Sequence, residues 1–248
     1  MKSLSIKTKL IVFLTAFAVF LSAKDKDLAF LLAMIIALIS AVVIDLFLSY
    51  FKDKRFSISA SSAASALIIG FVLASDNPWW VIVLASLSAI LSKYLIRFNN
   101  KHLFNPAAFG IFLCIFIFGA DTQWKGTFLW YILVPIGLYF SYKIRKLELI
   151  AGYLLTALGA FGIQAIFNKV ALANIFGYLN YFYIFIMLIE PKTTPIKPLA
   201  KLIFGIAIAL LVFILIQLQV KFDAELAALL ILNLFVPFLN KIPERRKT

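Results

Sequence analysis

Residues 28–51 read LAFLLAMIIALISAVVIDLFLSYF and carry a single charged side chain, Asp45. A helix over this stretch would be about 36 Å long, enough to cross a hydrocarbon core about 30 Å thick. Its flanks are charged. Lys24, Asp25, Lys26 and Asp27 precede it, and Lys52, Asp53, Lys54 and Arg55 follow it. An apolar run bounded by charge at both ends is the signature of a membrane-spanning helix.

The same pattern extends in both directions along the 248-residue chain. Apolar segments fall at 8–23, 28–51, 58–75, 78–96, 104–119, 126–142, 147–167, 171–189, 198–219 and 222–240. Hydrophobic residues make up 64% of the chain and charged ones only 14%. Mean hydropathy is +1.03. No soluble domain of this size hides so much apolar surface. The expected fold class is therefore an all-α integral membrane protein of about ten transmembrane helices. The first segment, preceded by Lys2, Lys7 and Lys9, reads as an uncleaved helix because no small-x-small site precedes Lys24.

The net charge of +13 follows from how the cations are distributed. With the N-terminus cytoplasmic and ten crossings, the inside loops hold 19 of the 24 Lys and Arg residues. The outside loops hold Lys24, Lys26, Lys125, Lys169 and Lys221. Every inside loop has at least three cations, as the positive-inside rule requires. Both termini are expected in the cytoplasm, in the inner membrane of a prokaryote. The basic balance reflects this topology, so nucleic acid is not an expected partner.

Ten segments divide into five and five, residues 1–125 and 126–248 of one membrane domain. An odd number in each half inverts the second relative to the first. Polar, proline-containing breaks precede the fourth segment of each half, at Asp76-Asn77-Pro78 and Glu190-Pro191-Lys192-Thr193-Thr194-Pro195. Two inverted five-helix repeats with broken or half helices are a recurrent plan for sites near the bilayer midplane. Segment 104–119 is short enough to enter from one side only.

Four features could carry chemistry. In Lys101-His102-Leu103-Phe104-Asn105-Pro106-Ala107-Ala108-Phe109-Gly110, Asn105 suits a helix cap and Pro106 the first helical position. The exposed N–H groups and positive dipole end of such a helix hold anions or carbonyl-rich rings. Ala107, Ala108 and Gly110 would admit another backbone or a flat ligand. An ordinary capped helix is the alternative reading. In Glu190–Pro198, three prolines exclude helix, and Thr193 and Thr194 offer hydroxyls among Lys192, Lys197 and Lys201. This stretch is either a ligand-binding loop or a plain connection on the same side as Asn105. Asp45 is an acid at membrane depth, which marks either an ion pathway or a pair with Lys52 or Arg55. Ser57, Ser59, Ser61, Ser62 and Ser65, interleaved with alanines, favour close helix packing over a polar cavity wall.

Several centres are excluded by composition. One cysteine, Cys114, and one histidine, His102, leave no iron–sulfur cluster and no bis-histidine haem from this chain alone, and no metal site is expected.

Residues 28–220 resemble the NqrB/RnfD family, the membrane subunit shared by sodium-pumping NADH:quinone reductase and the Rnf ferredoxin:NAD complex. The resemblance rests on Ser65-Ala66-Leu67-Ile68-Ile69-Gly70-Phe71-Val72-Leu73-Ala74, Pro78-Trp79-Trp80, Lys93 and His102–Phe109. A second matching stretch runs from Phe185-Ile186-Met187-Leu188-Ile189-Glu190-Pro191 through Lys192-Thr193-Thr194-Pro195 to Leu202-Ile203-Phe204-Gly205. The family pattern has Asp-Pro where this chain has Glu190-Pro191. The resemblance implies ten helices in an inverted repeat and flavin-based electron transfer. In larger members the Asn-Pro segment lies at a non-covalent flavin site, which by position falls on Asn105 and His102 here. The family attaches FMN covalently through the threonine of Ser-Gly-Ala-Thr, a tetrapeptide this chain lacks. Covalent FMN is therefore not expected, and riboflavin or FMN held non-covalently is.

The expected function is that of a membrane subunit passing electrons through flavin, with Na+ or H+ translocation as the coupled process. Such a subunit is not catalytic alone. It requires other membrane subunits and a soluble NAD(P)H- or ferredoxin-linked reductase on its cytoplasmic face. The alternatives are a non-redox inverted-repeat transporter or channel, and a structural assembly subunit.

Overall fold

The computed structural model describes residues 4–54, 56, 59–99, 101–169, 171–190 and 193–242. Their contacts divide into two compact units, Met1–Gly126 and Thr127–Thr248.

The first unit contains α1 (Ile6–Asp25), α2 (Leu28–Asp53), α3 (Ala60–Val72), α4 (Trp79–Leu95) and α5 (Pro106–Phe118). A small antiparallel hairpin of β1 (Arg97–Phe98) and β2 (Lys101–His102) joins α4 to α5, pairing Arg97 with His102. Its centre is α3, where Ala64 and every residue from Ala66 to Val72 is buried. Phe71 of α3 stacks on Phe17 of α1 and meets Phe30 of α2 edge-on. A Cβ on Gly70 would lie 3.2 Å from Met34 Cα and 2.3 Å from its Sδ, so α3 sits close to α2 and Met34 would have to move to admit a side chain. On α2 the outward residues Leu28, Leu32, Ile35, Ile39, Val43 and Phe47 recur every three or four positions. That stripe of exposed large apolar side chains is a lipid-facing surface.

One end of this unit is closed by the strap that follows α5. The α3 helix stops at Val72 because the chain turns extended at Leu73, which bridges to Thr122. Gln123 and Lys125 donate their N–H groups to the carbonyls of Val72 and Phe71, both at 2.8 Å. The helix end thus finds partners for carbonyls that would otherwise be orphaned in lipid. The Asp76-Asn77-Pro78 break works as a clasp. Asn77 Nδ2 donates to the Ala74 and Asp121 carbonyls, and Asn77 Oδ1 accepts from the Asp121 N–H. Lys125 Nζ reaches back to Asp27 at 2.8 Å and Asp25 at 3.3 Å, fixing the α1–α2 turn. The hydrogen bonds from Lys125 and the Phe30 N–H hold the Asp27 carboxyl below its ordinary range. Lys125 is raised: burial lowers it, but the hydrogen bonds to Asp27 and Asp25 outweigh that.

The second unit contains α6 (Trp130–Lys143), α7 (Leu147–Phe167), α8 (Pro198–Gln217) and α9 (Ala224–Leu239). Its main packing is α7 against α8, with glycines on both sides. A Cβ on Gly152 would lie 2.5 Å from the Leu202 carbonyl oxygen, and one on Gly205 would lie 2.2 Å from that of Leu149. Small residues at a helix crossing let backbones touch, which is how helices associate in lipid.

The eighth predicted segment, 171–189, is not one helix. It is a 3-10 turn, Leu172–Tyr178, an extended step at Leu179, and a π-helical turn, Tyr183–Met187. Leu188 N–H bonds the Tyr183 carbonyl five residues back at 2.8 Å. The interruption has a local cause. Asn180 Oδ1 accepts the Tyr183 N–H and so starts a new helix there. The described residues therefore form nine α-helices. Four of them, α1, α2, α7 and α8, are individually long and apolar enough to cross a membrane. The rest are shorter, with 13 residues in α3 and in α5.

Candidate functional site

The chain folds Asn105 as its sequence suggests. Asn105 precedes α5 with φ −61° and ψ 118°, its Oδ1 accepts the Ala108 N–H at 3.2 Å, and Pro106 takes the first helical position. Asn105 is fully buried. The small-residue face beyond it is filled by backbone: a Cβ on Gly110 would lie 2.1 Å from the Ala85 carbonyl oxygen of α4. Of the two occupants expected along Ala107, Ala108 and Gly110, another backbone or a flat ligand, it is the backbone of α4 that lies against Gly110. The half-buried surface lies instead on the preceding side, at His102, Leu103 and Phe104. Phe104 stacks on Phe109 with centroids 5.6 Å apart.

His102 sits on β2, and the hairpin packs against α4. Lys93, on the last turns of α4, is buried and donates to Ser62 Oγ at 3.2 Å. Ser62 Oγ shares a 2.9 Å hydrogen bond with Ser59 Oγ, and Ser59 Oγ caps α3. Asp45, 2% exposed, accepts the Ser59 N–H at 2.9 Å and the Tyr94 hydroxyl at 3.1 Å. Lys52 lies over the Tyr94 ring rather than on the carboxylate. The anticipated Asp45–Lys52 pair is thus replaced by a backbone N–H and a tyrosine, while Arg55 and Ser57 lie outside the described residues. Ser65 is buried and donates to the Ser61 carbonyl within α3.

Lys93, Asp45, Ser59, Ser62 and Tyr94 therefore form one connected polar cluster joining α2, α3 and α4. The hairpin carrying His102 abuts the same helix. The sequence signal for Asp45 was its charge inside an apolar run, and for Lys93 its place among the residues that carry the family resemblance. Tyr94 gave no such signal, because its partner is 49 positions away.

Thr193 and Thr194 belong to the second unit and are buried. The Thr193 carbonyl accepts from Asn233 Nδ2 at 3.2 Å, and its hydroxyl has no hydrogen-bond partner among the described residues. Nearby ends are tied by lysines. Lys146 Nζ donates to the Ile189 carbonyl at 2.7 Å, Lys201 Nζ to the Arg145 carbonyl, and Lys197 Nζ to the Ile242 carbonyl at 2.7 Å. Pro191 and Lys192 lie outside the described residues. Sequence reasoning missed a second cluster in this unit. Asn180 Oδ1 accepts from the Thr127 hydroxyl at 3.0 Å, and Asn180 Nδ2 donates to Glu225 at 2.6 Å. A polar Asn inside an apolar run was the available clue.

These features define an all-α integral membrane protein whose polar side chains gather at helix ends. The chain belongs to the NQR2, RnfD, RnfE family, whose model matches it twice, over residues 2–132 and 126–248. Its members are membrane subunits of sodium-pumping NADH:quinone reductase and Rnf complexes. No curated protein matches the chain.

Proposed function

We propose that this protein is a membrane subunit of a flavin-based electron-transport complex and holds flavin non-covalently at the Asn105 end of its first unit. The observation that carries the reading is the grouping at this end. A capped helix N-terminus at Asn105 follows directly on His102 and the half-buried Phe104, which stacks on Phe109, and the buried Lys93 lies on α4, the helix against which the hairpin packs. A positive helix end and a nearby cation stabilise an electron-rich ring and its carbonyl edge, and stacked aromatics offer a flat apolar wall. The donor set therefore fits a flavin approaching from the hairpin side. Flavin would supply the electron-carrying chemistry. The chain's part is to bind and orient it and to bias its charge.

In this reading both termini and the basic loops face the cytoplasm, where a soluble NAD(P)H- or ferredoxin-linked reductase docks. Other membrane subunits cover the lipid-level faces, and Na+ or H+ movement is coupled to electron flow. Ten crossings in two inverted halves are supported by the cation pattern, and alternation of the helices within the first unit by which loops meet. Lys125 meets Asp27 and Asn77 meets Asp121 at one end of the first unit, while Asp45, Ser59 and Tyr94 meet at the other. Within the second unit, Thr193 and Thr194 offer the buried hydroxyls for a ligand, and that of Thr193 has no hydrogen-bond partner among the described residues.

The test is the visible absorbance and flavin fluorescence of the detergent-purified protein before and after acid precipitation. Flavin released into the supernatant is the expected result. Colour remaining with the precipitate overturns non-covalent binding, and absence of flavin from folded protein favours transport without redox chemistry. Asn105→Asp, which retains a capping oxygen, should lower flavin content while leaving helicity intact.

A further inference from the structure

The second unit has a cavity of about 740 Å³ beside the 3-10 turn and the start of α6. That volume lies within the range of small-molecule sites. Its walls include Phe128, Trp130, Phe176 and Tyr181, with Thr127 and Gly177 between them, and among the described residues no charged one lines it. The walls are built rather than loose. The Thr127 hydroxyl is held by Asn180, Asn180 by Glu225, and the Tyr181 hydroxyl by the Phe176 carbonyl at 3.0 Å. Trp130 and Tyr181 face one another at 6.5 Å between ring centroids.

The mouth is apolar as well. Phe128 is 66% exposed, Trp130 55% and Phe176 58%, and Leu172 and Tyr178 beside them are similarly exposed. In water such a surface would be costly. At the edge of a bilayer, Trp and Tyr belong at headgroup level, with Phe and Leu in the acyl region beneath. An uncharged, aromatic-walled cavity opening among these side chains matches a hydrocarbon chain. It lacks the cations that a phosphate or carboxylate would require.

We propose that this cavity is a binding site for one acyl chain of a bilayer lipid, clasped between the Leu172–Tyr178 turn and α6. The site selects for the chain and not for the headgroup.

Gly177 provides the test, because a Cβ there meets nothing within 4 Å and its backbone is unstrained. Gly177→Leu therefore adds bulk to open space, and Val134→Trp fills from another wall. Native mass spectrometry of the full chain in detergent, with phosphatidylcholine or phosphatidylglycerol added, reads the retained lipid. Wild type should keep one lipid of either kind, with affinities within about threefold. Each filling variant should weaken retention about tenfold, a change of about 1.4 kcal/mol. Unchanged retention in both folded variants overturns the proposal. A tenfold preference for phosphatidylglycerol would also overturn it, since that is headgroup recognition by cations. Loss of flavin from Gly177→Leu would do the same by giving the cavity to the cofactor, whereas flavin content unaffected by both variants keeps the two sites separate.

Discussion

The third segment of each unit contains a fully packed stretch, but the two stretches are built differently. In the first unit it is α3, a regular helix started by Ser59. In the second it is a π-helical turn, Tyr183–Met187, in a helix started by Asn180. Each starting residue is held by an acid from elsewhere in its unit: Asp45 takes the Ser59 N–H, and Glu225 takes Asn180 Nδ2. The acids come from different places in the order of elements, the second helix in one unit and the last in the other. The closest helix pair differs too, α4 on α5 through Gly110 and α7 on α8 through Gly152 and Gly205. A shared requirement, securing the start of a buried segment in lipid, has been met twice with different residues. Unsatisfied backbone groups are costly there, so the requirement is conserved by physics even where the residues differ.

The comparison is broken most severely at the glycines. Gly110→Leu and Gly205→Leu each drive a side chain into a facing carbonyl and should cost about 3 kcal/mol or more. Gly159→Leu, with nothing within 4 Å of its Cβ, should be close to neutral. Thermal unfolding in detergent distinguishes them, and equal losses at all three would refute the assignment of close crossings.

The two acids sharpen it next. Asp45→Ala leaves the Ser59 N–H and the Tyr94 hydroxyl without their acceptor, a loss of about 2 kcal/mol. Glu225→Ala releases one side-chain donor, and about 1 kcal/mol is expected. Hydrogen exchange should localise the first loss to α3 and the second to Tyr183–Met187. Asn105→Ala removes a cap and should cost about 1 kcal/mol, read as a lower unfolding temperature that Asn105→Ser largely restores.

The smallest effect is one of pH. The Asp27 carboxyl is held below its ordinary value by Lys125, so its contribution is present above about pH 4, the unfolded aspartate value. It is lost as pH falls through the lower folded value. Lys125→Met should flatten the decline in unfolding temperature below about pH 4, with a difference under about 1 kcal/mol for a half-buried pair at a helix end. An unaltered profile would remove Lys125 as the cause.

Much of this was legible in the sequence. The predicted segment 147–167 is α7, and Asn105-Pro106 starts α5 as a capped helix should. Those features depend on local chemistry, namely hydropathy and capping. Segment 171–189 was not legible, because a chain apolar on every face has no period to distinguish a helix from a turn and a break. The ties that decide it, Asn180 to Thr127 and to Glu225, span 53 and 45 positions. The tie of Asp45 to Tyr94 is beyond local reading in the same way. Nearby cations suggested a local pair, yet its partner Tyr94 is 49 positions away. The Gly110 face was read correctly as a close approach, but only the fold shows that the approaching group is α4.

The strap after α5 has a consequence for biosynthesis. The last residues of the first unit, Gln123 and Lys125, satisfy the carbonyls at the end of its central helix, and Lys125 also locks the turn between its first two helices. None of these bonds requires anything later in the chain. A ribosome that has released Lys125 has therefore released a unit able to seal itself in the membrane, before the first helix of the next unit has been made.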